Sequence, residues 1–161
     1  MGDRRIMKID IGINNLADIP VDEKSVKKTA AAVIKGETAG MPDGRNIEVS
    51  IVFVDAARMR GINKKYRKKD YATDVLSFME DGYGGCGAAD YPRVLGELVI
   101  CAEVVAKDAA ESGIDNGKEL AWVVVHGMLH LFSYDHEKGG NEAIVMREKE
   151  EFYLFKIRDA Q

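Results

Sequence analysis

"NGKELAWVVVHGMLHLFSYDH", residues 116–136, contains every histidine in the chain. Asp115 stands ahead of it as a helix cap, and the apolar run that follows predicts a central, mostly buried helix carrying His126 and His130. On a helix, positions i and i+4 share one face with Cβ atoms about 5 to 6 Å apart, close enough for two imidazoles to share a metal ion. Another turn along the same axis would carry a third ligand away from that ion. His136 instead comes six residues after His130, past "FSYD", a stretch that ends the helix and turns the chain back. Three neutral imidazoles with an open fourth position describe a catalytic zinc site rather than a closed structural one. A lone histidine on an apolar helix is more often a satisfied core residue, but three at ligand spacing with none elsewhere point to a metal.

The H-x3-H-x5-H spacing is the one used by zinc metzincins. In the HExxH arrangement, however, the glutamate after the first histidine takes a proton from the metal's water, and here that position is Gly127. Zinc alone lowers the pKa of its water to about 7, so a nucleophile is available without that base. The missing carboxylate argues against peptide hydrolysis and permits attack on a phosphodiester, where stabilising charge matters more.

A cation near the metal is then required. Arg58, Arg60, Lys64, Lys65, Arg67, Lys68 and Lys69 lie between Arg58 and Lys69 with no acid among them. The net charge of -4 argues against non-specific coating of nucleic acid, which Lys and Arg drive by neutralising phosphates. One concentrated basic stretch on an acidic protein still steers a polyanion to one face.

Around these segments the chain reads as an α+β domain, a small mixed β-sheet covered by helices, over residues 1–161. "MKIDIGIN" alternates with period two and predicts a half-buried strand, and "NIEVSIVFVD" a second strand. "TDVLSFM" and "LGELVI" are two further strands, separated by the Gly-rich "EDGYGGCGAADYPRV". Helices are expected after Pro20 with Asp22 as cap and Val26, Ala30, Val33 and Ile34 inward, after Asp55 through the basic stretch, and over "CAEVVAKDAAES" up to Gly113. A last helix from about Asn141 has Ile144, Met146 and Leu154 as inward candidates. Cys86 and Cys101 form neither a CxxC pair nor a disulfide framework, and Cys101 reads as a core residue. No apolar run approaches the roughly 20 residues of a membrane span, and no secretory signal is visible, so the expectation is a cytoplasmic protein without a membrane partner.

"HGMLHLFSYDH" (126–136) resembles the motif HGxLHLxGYDH of the bacterial YbeY endoribonucleases, also called rRNA maturation factors. "NKKYRKKDYATDVLSF" (63–78) resembles that family's N-x-x-Y-R-x-x-D-x-P-T-D-V-L-S-F, and "LGELVI" (95–100) its LGDI-type strand. The resemblance implies a zincin-like, metal-dependent hydrolase with its ligands on the central helix and the following turn. Its substrate would be single-stranded RNA, in small-subunit ribosomal RNA maturation and ribosome quality control on the small ribosomal subunit. His126, His130 and His136 match the metal ligands, for one Zn2+ per chain with nickel or another transition metal also accommodated. Arg67 matches the family's critical arginine, whose guanidinium suits bidentate phosphate binding and transition-state charge.

Thr73, Asp74 and Asp70 fall in the second motif, where a carboxylate could orient a ligand histidine through its other nitrogen or serve only turn and cap. Asp135 is a similar candidate, as partner of a ligand, as proton acceptor or as turn residue, and Lys64 is a substrate-binding candidate in the basic stretch. Tyr66 and Tyr71 offer rings for stacking a base or for packing. Ser133 stands where the family has glycine; if the backbone needs positive φ there, serine costs on the order of 1 kcal/mol. Ala72 and Met79 replace usual prolines. The nucleophile is either a metal-bound water or a substrate 2′-hydroxyl, distinguished by a 2′,3′-cyclic phosphate product. Two rival readings are a metalloprotease-like hydrolase and a non-catalytic ribosome assembly factor with a structural metal.

Overall fold

A computed structural model describes residues 7–41, 44–80 and 92–160. The elements run β1 (Ile9–Asn15), α1 (Glu23–Thr38), β2 (Ile47–Phe53), α2 (Ala56–Arg67), β3 (Val75–Met79), β4 (Arg93–Ile100), α3 (Ala102–Ser112), α4 (Asn116–Leu131) and α5 (Gly140–Asp159). The four strands make one sheet in the order β1-β2-β4-β3. β1, β2 and β4 are parallel, and β3 lies antiparallel to β4 at an edge of the sheet. This is the α+β arrangement expected, a mixed sheet with helices alone after Ile100.

Strand alternation decides which layer each residue joins. Ile47, Val49, Ile51 and Phe53 of β2, with Leu98 and Ile100 of β4, enter one core with α1, α4 and α5. Val99 points the other way and joins Val54, Leu76 and Met59 of α2 in a second core beneath the opposite face. α4 packs against α1, α3, α5 and strands β3 and β4, so the helix bearing two histidines is the centre of its layer. Its Val123, Val124, Val125, Met128 and Leu129 are fully buried.

The expected caps are formed. Asp22 accepts from Ser25 N, Asp55 from Arg58 N and Asp115 from Lys118 N, each satisfying an orphan donor of a first helical turn. Gly113 caps the end of α3, and Cys101 is buried. Residues 81–91 of the Gly-rich stretch, Cys86 included, lie outside the described residues, and the end of that stretch belongs to β4.

One expectation fails on α5. Met146 is buried and Leu154 packs against the core, but Ile144 is 55% exposed. Two residues are about 200° apart around a helix at 3.6 residues per turn, so Ile144 and Met146 cannot face the same core. The inward stripe is Met146, Glu150, Tyr153 and Ile157, and a glutamate in that stripe is not what an apolar count looks for. Among the described residues no helix is long and apolar enough to cross a membrane.

Candidate metal centre and cleft

α4 ends in a way that delivers the third histidine. Ser133 N donates to His130 O, and Tyr134 N donates to Leu129 O, the paired bonds of a Schellman termination. Such a termination puts the residue after the cap in the left-handed region, and Ser133 has φ 70°. The positive φ anticipated at this substituted glycine is therefore present, at a cost of about 1 kcal/mol. The chain reverses, and the His136 ring comes to 5.1 Å, centroid to centroid, from those of both His126 and His130.

Each of the three histidines offers one nitrogen, and these lie within 4.8 Å of one another. Nε2 of His126 and Nε2 of His130 are 3.2 Å apart. Two ring nitrogens this close need a proton or a cation between them. On the far side of His126, Nδ1 is 2.6 Å from Oε1 of Glu150, which reaches across from α5. With Glu150 ionised, Nδ1 carries the proton and the Nε2 lone pair is left facing the cluster, as a metal ligand requires. Trp122, one turn earlier on α4, stacks on the His126 ring at 4.9 Å and fixes its plane.

Burial pushes the pKa of His130 below its ordinary value, and the neighbouring His126 and His136 push it in the same direction. It is thus held in the neutral form that binds metals. The donor set, three imidazoles with a carboxylate behind one of them, fits a transition-metal ion.

Gly127 is a packing position as well as an absent base. A Cβ there would lie 3.0 Å from Leu98 Cδ2 and 3.2 Å from Val75 Cγ2. The residue after His126 faces the sheet, and Ser77 Oγ donates to the Gly127 carbonyl, fastening β3 to α4 beside the histidines. A larger residue at this position would press on Leu98 and Val75.

The histidines open into a cavity of about 440 Å³ whose wall is formed by β3 and the loop after α2, with Arg67, Tyr71, Thr73 and Asp74 in its lining. Asn63, almost wholly buried, shapes that loop. Its side chain donates to Tyr71 O, and its carbonyl takes the Lys68 and Lys69 amides at the end of α2. Arg67 is exposed at that helix end, and among the described residues no carboxylate pairs with it. Tyr71 is 53% exposed on the same wall.

The remaining sequence candidates have other partners. Lys64 is not in the lining; it and Arg60 are ion-paired with Asp70 at 3.1 and 2.7 Å. Hydrogen bonds from Arg60 and Lys64 hold the Asp70 carboxyl down at about 2. Asp74 Oδ1 accepts from Thr73 Oγ1 and Val75 N, and Asp135 Oδ1 accepts from Glu137 N. Both aspartates line the cleft while their bonded oxygens serve local turns. Tyr66 packs edge-on against Phe78 at 5.2 Å.

A model of the endoribonuclease YbeY family matches residues 12–158 of this chain. The chain belongs to the YbeY endoribonuclease family. A YbeY endoribonuclease of Chloroflexus aurantiacus is 42% identical over 135 residues, covering 83% of this chain and 85% of that protein. One from Aquifex aeolicus is 41% identical over 116 residues, 71% of this chain and 73% of its own. Among solved structures, a Thermotoga maritima protein determined in solution is similar with a TM-score of 0.58 and 28% identity, over 92% of this chain and 88% of that one. By this homology the protein is an endoribonuclease with a histidine triad able to hold a metal.

The histidines and Arg67 lie within the YbeY motifs, but Glu150 lies outside residues 63–78, 95–100 and 126–136 that carry them. The signal that finds it is helical phase: four residues after Met146 and three before Tyr153, it is the acidic member of the buried stripe of α5.

Proposed function

We propose that residues 1–161 act as one metal-dependent, single-strand-selective endoribonuclease domain, with one zinc ion held by His126, His130 and His136. Its proposed substrate is ribosomal RNA of the small subunit, in 3′-end processing and quality control, and its proposed place is the cytoplasm. The observation that carries the reading is the opening of the three imidazole nitrogens into a cleft whose other wall presents an arginine free of carboxylate partners among the described residues.

Bound there, the metal would supply Lewis-acid stabilisation of phosphate charge and an activated water. The same imidazoles accept nickel or another transition metal. Arg67 would take the non-bridging phosphate oxygens through its planar fork and stabilise charge that grows toward the transition state. Glu150 keeps the His126 tautomer, and Asn63 keeps the loop that carries Tyr71. Tyr71 would give an unpaired base a ring to stack on, which a base held inside a duplex cannot reach. The exposed lysines and arginines of α2 steer the polyanion toward this wall.

The position after His126 is a glycine packed against Leu98 and Val75 and not a protease's glutamate, which supports a phosphodiester over a peptide substrate. The test is elemental analysis of purified protein together with cleavage of one RNA strand, alone and annealed to its complement. The reading expects stoichiometric metal and cleavage of the free strand only. Metal-loaded protein that binds RNA without cutting it would instead favour an assembly factor.

A further inference from the structure

Glu37 stands at the end of α1, and its side chain is only 8% exposed. It touches no histidine, yet three donors converge on it. Oε2 accepts from the Tyr134 hydroxyl at 2.7 Å; Oε1 accepts from the Tyr153 hydroxyl at 2.6 Å and from Lys149 Nζ at 3.0 Å. Tyr134 lies inside the turn that delivers His136. Lys149 and Tyr153 flank Glu150, the carboxylate on His126, along α5. Both supports of the histidine cluster that come from outside α4 are therefore tied to one carboxylate.

The surroundings are shaped for this contact. At Gly36 an added Cβ would run into the Tyr153 ring and hydroxyl, so the residue beside Glu37 must be small for the ring to seat. Lys149 Nζ also lies 5.8 Å from the centre of the Tyr134 ring, linking the turn to α5 a second time. α1 itself is anchored by fully buried Ala30, Val33 and Ile34, which makes it a rigid base. The turn needs such an anchor: its left-handed position is a serine, so its backbone alone favours this conformation less than a glycine would.

We propose that Glu37 is a positioning residue for the metal centre, holding the His136 turn through Tyr134 and the Glu150 helix through Lys149 and Tyr153. The proposal rests on the reading of the three histidines as metal ligands. A glutamine at position 37 has one acceptor oxygen and an amide donor, so it keeps the shape but cannot accept from all three partners. At least one of the three donors loses its acceptor, and Lys149 loses its counter-charge.

The test is a titration of metal-free protein with Co2+ against a competing chelator, with the visible absorption of the bound ion as a report on its ligand geometry. Wild type, Glu37→Gln, Tyr134→Phe and His130→Ala are compared, and the cooperative unfolding of each metal-free protein is recorded. Glu37→Gln is expected to fold and to bind Co2+ about 10-fold more weakly, the low end of losses seen when outer partners of ligands are removed, with an altered visible band. Tyr134→Phe, which releases the turn alone, should give a smaller loss in the same direction and carries the test should Glu37→Gln not fold. Wild-type affinity and an unchanged band in the folded Glu37→Gln protein, or in Tyr134→Phe where Glu37→Gln does not fold, would overturn the proposal, leaving a purely structural role. Wild type that binds no Co2+, or His130→Ala that binds as wild type does, would overturn the ligand reading and the proposal with it.

Discussion

Glu150 on α5 accepts a 2.6 Å hydrogen bond from Nδ1 of His126 on α4, across 24 residues of sequence. With Glu150 ionised, this contact determines which nitrogen of His126 faces the other two histidines, so the geometry of the candidate metal centre depends on the last helix as well as on its own motif. Removing the carboxylate by Glu150→Ala is expected to weaken metal binding about 10- to 100-fold. Chelator competition on the folded variant measures this, and unchanged affinity would show that Trp122 stacking alone orients the ring.

Ser133 predicts a stabilising substitution. At φ 70° glycine avoids the Cβ clash that serine meets, so Ser133→Gly should raise the unfolding free energy by up to about 1 kcal/mol. Denaturant unfolding checks it. A loss of stability would mean that the Ser133 hydroxyl, whose neighbour is Met79 Sδ at 3.6 Å, contributes more than the backbone strain removes.

Gly127 predicts the opposite. Gly127→Ala drives a methyl toward Leu98 and Val75, an overpacking of about 1 to 3 kcal/mol set against the roughly 1 kcal/mol that alanine gains over glycine in a helix, so a net loss of up to about 2 kcal/mol is expected. Gly127→Glu, which recreates a protease-like motif, adds a buried charge and should destabilise further without creating peptidase activity. A stable Gly127→Glu protein that cuts casein would contradict the packing account.

The charge on Glu37 predicts a pH dependence. Burial pushes its pKa up, but hydrogen bonds from Tyr153, Tyr134 and Lys149 and the Lys149 charge outweigh burial and hold the carboxyl below its ordinary value. A group lowered in the folded state adds stability above its unfolded pKa and loses it as pH falls through the folded one. The stability gap between wild type and Glu37→Gln should thus be widest near neutrality and shrink in acid, below the usual glutamate range. Unfolding curves across that range test it; a gap that stays constant would assign the effect to packing.

The sequence was legible where one residue carries one local signal. Asp22, Asp55 and Asp115 cap helices because their side chains reach amides three residues on, and the period of residues 9–15 places one strand by alternation. His126 and His130 follow from helical spacing, and the special backbone at Ser133 from the glycine it replaces. Glu37 and Glu150 stood in no motif: Glu150 is one of three glutamates in REKEE (147–151) that only the phase of the Met146–Tyr153 stripe singles out, and Glu37 is a lone glutamate near the end of α1 with nothing local to say that it turns inward. Their partners lie far away in sequence, and only packing of α1 and α5 against α4 brings them in. Asp74 and Asp135 show the converse: near the site in sequence and in space, their bonded oxygens are taken by backbone amides one or two residues away.

The most direct test of the central claim is RNA cleavage measured together with metal content for wild type, His130→Ala and Arg67→Ala. The account predicts that His130→Ala loses both metal and cleavage, while Arg67→Ala keeps its metal and its fold but cleaves about 10²- to 10³-fold more slowly, as expected for loss of a charge-stabilising donor. Metal-free His130→Ala that still cuts single-stranded RNA, or Arg67→Ala that cuts at the wild-type rate, would contradict it.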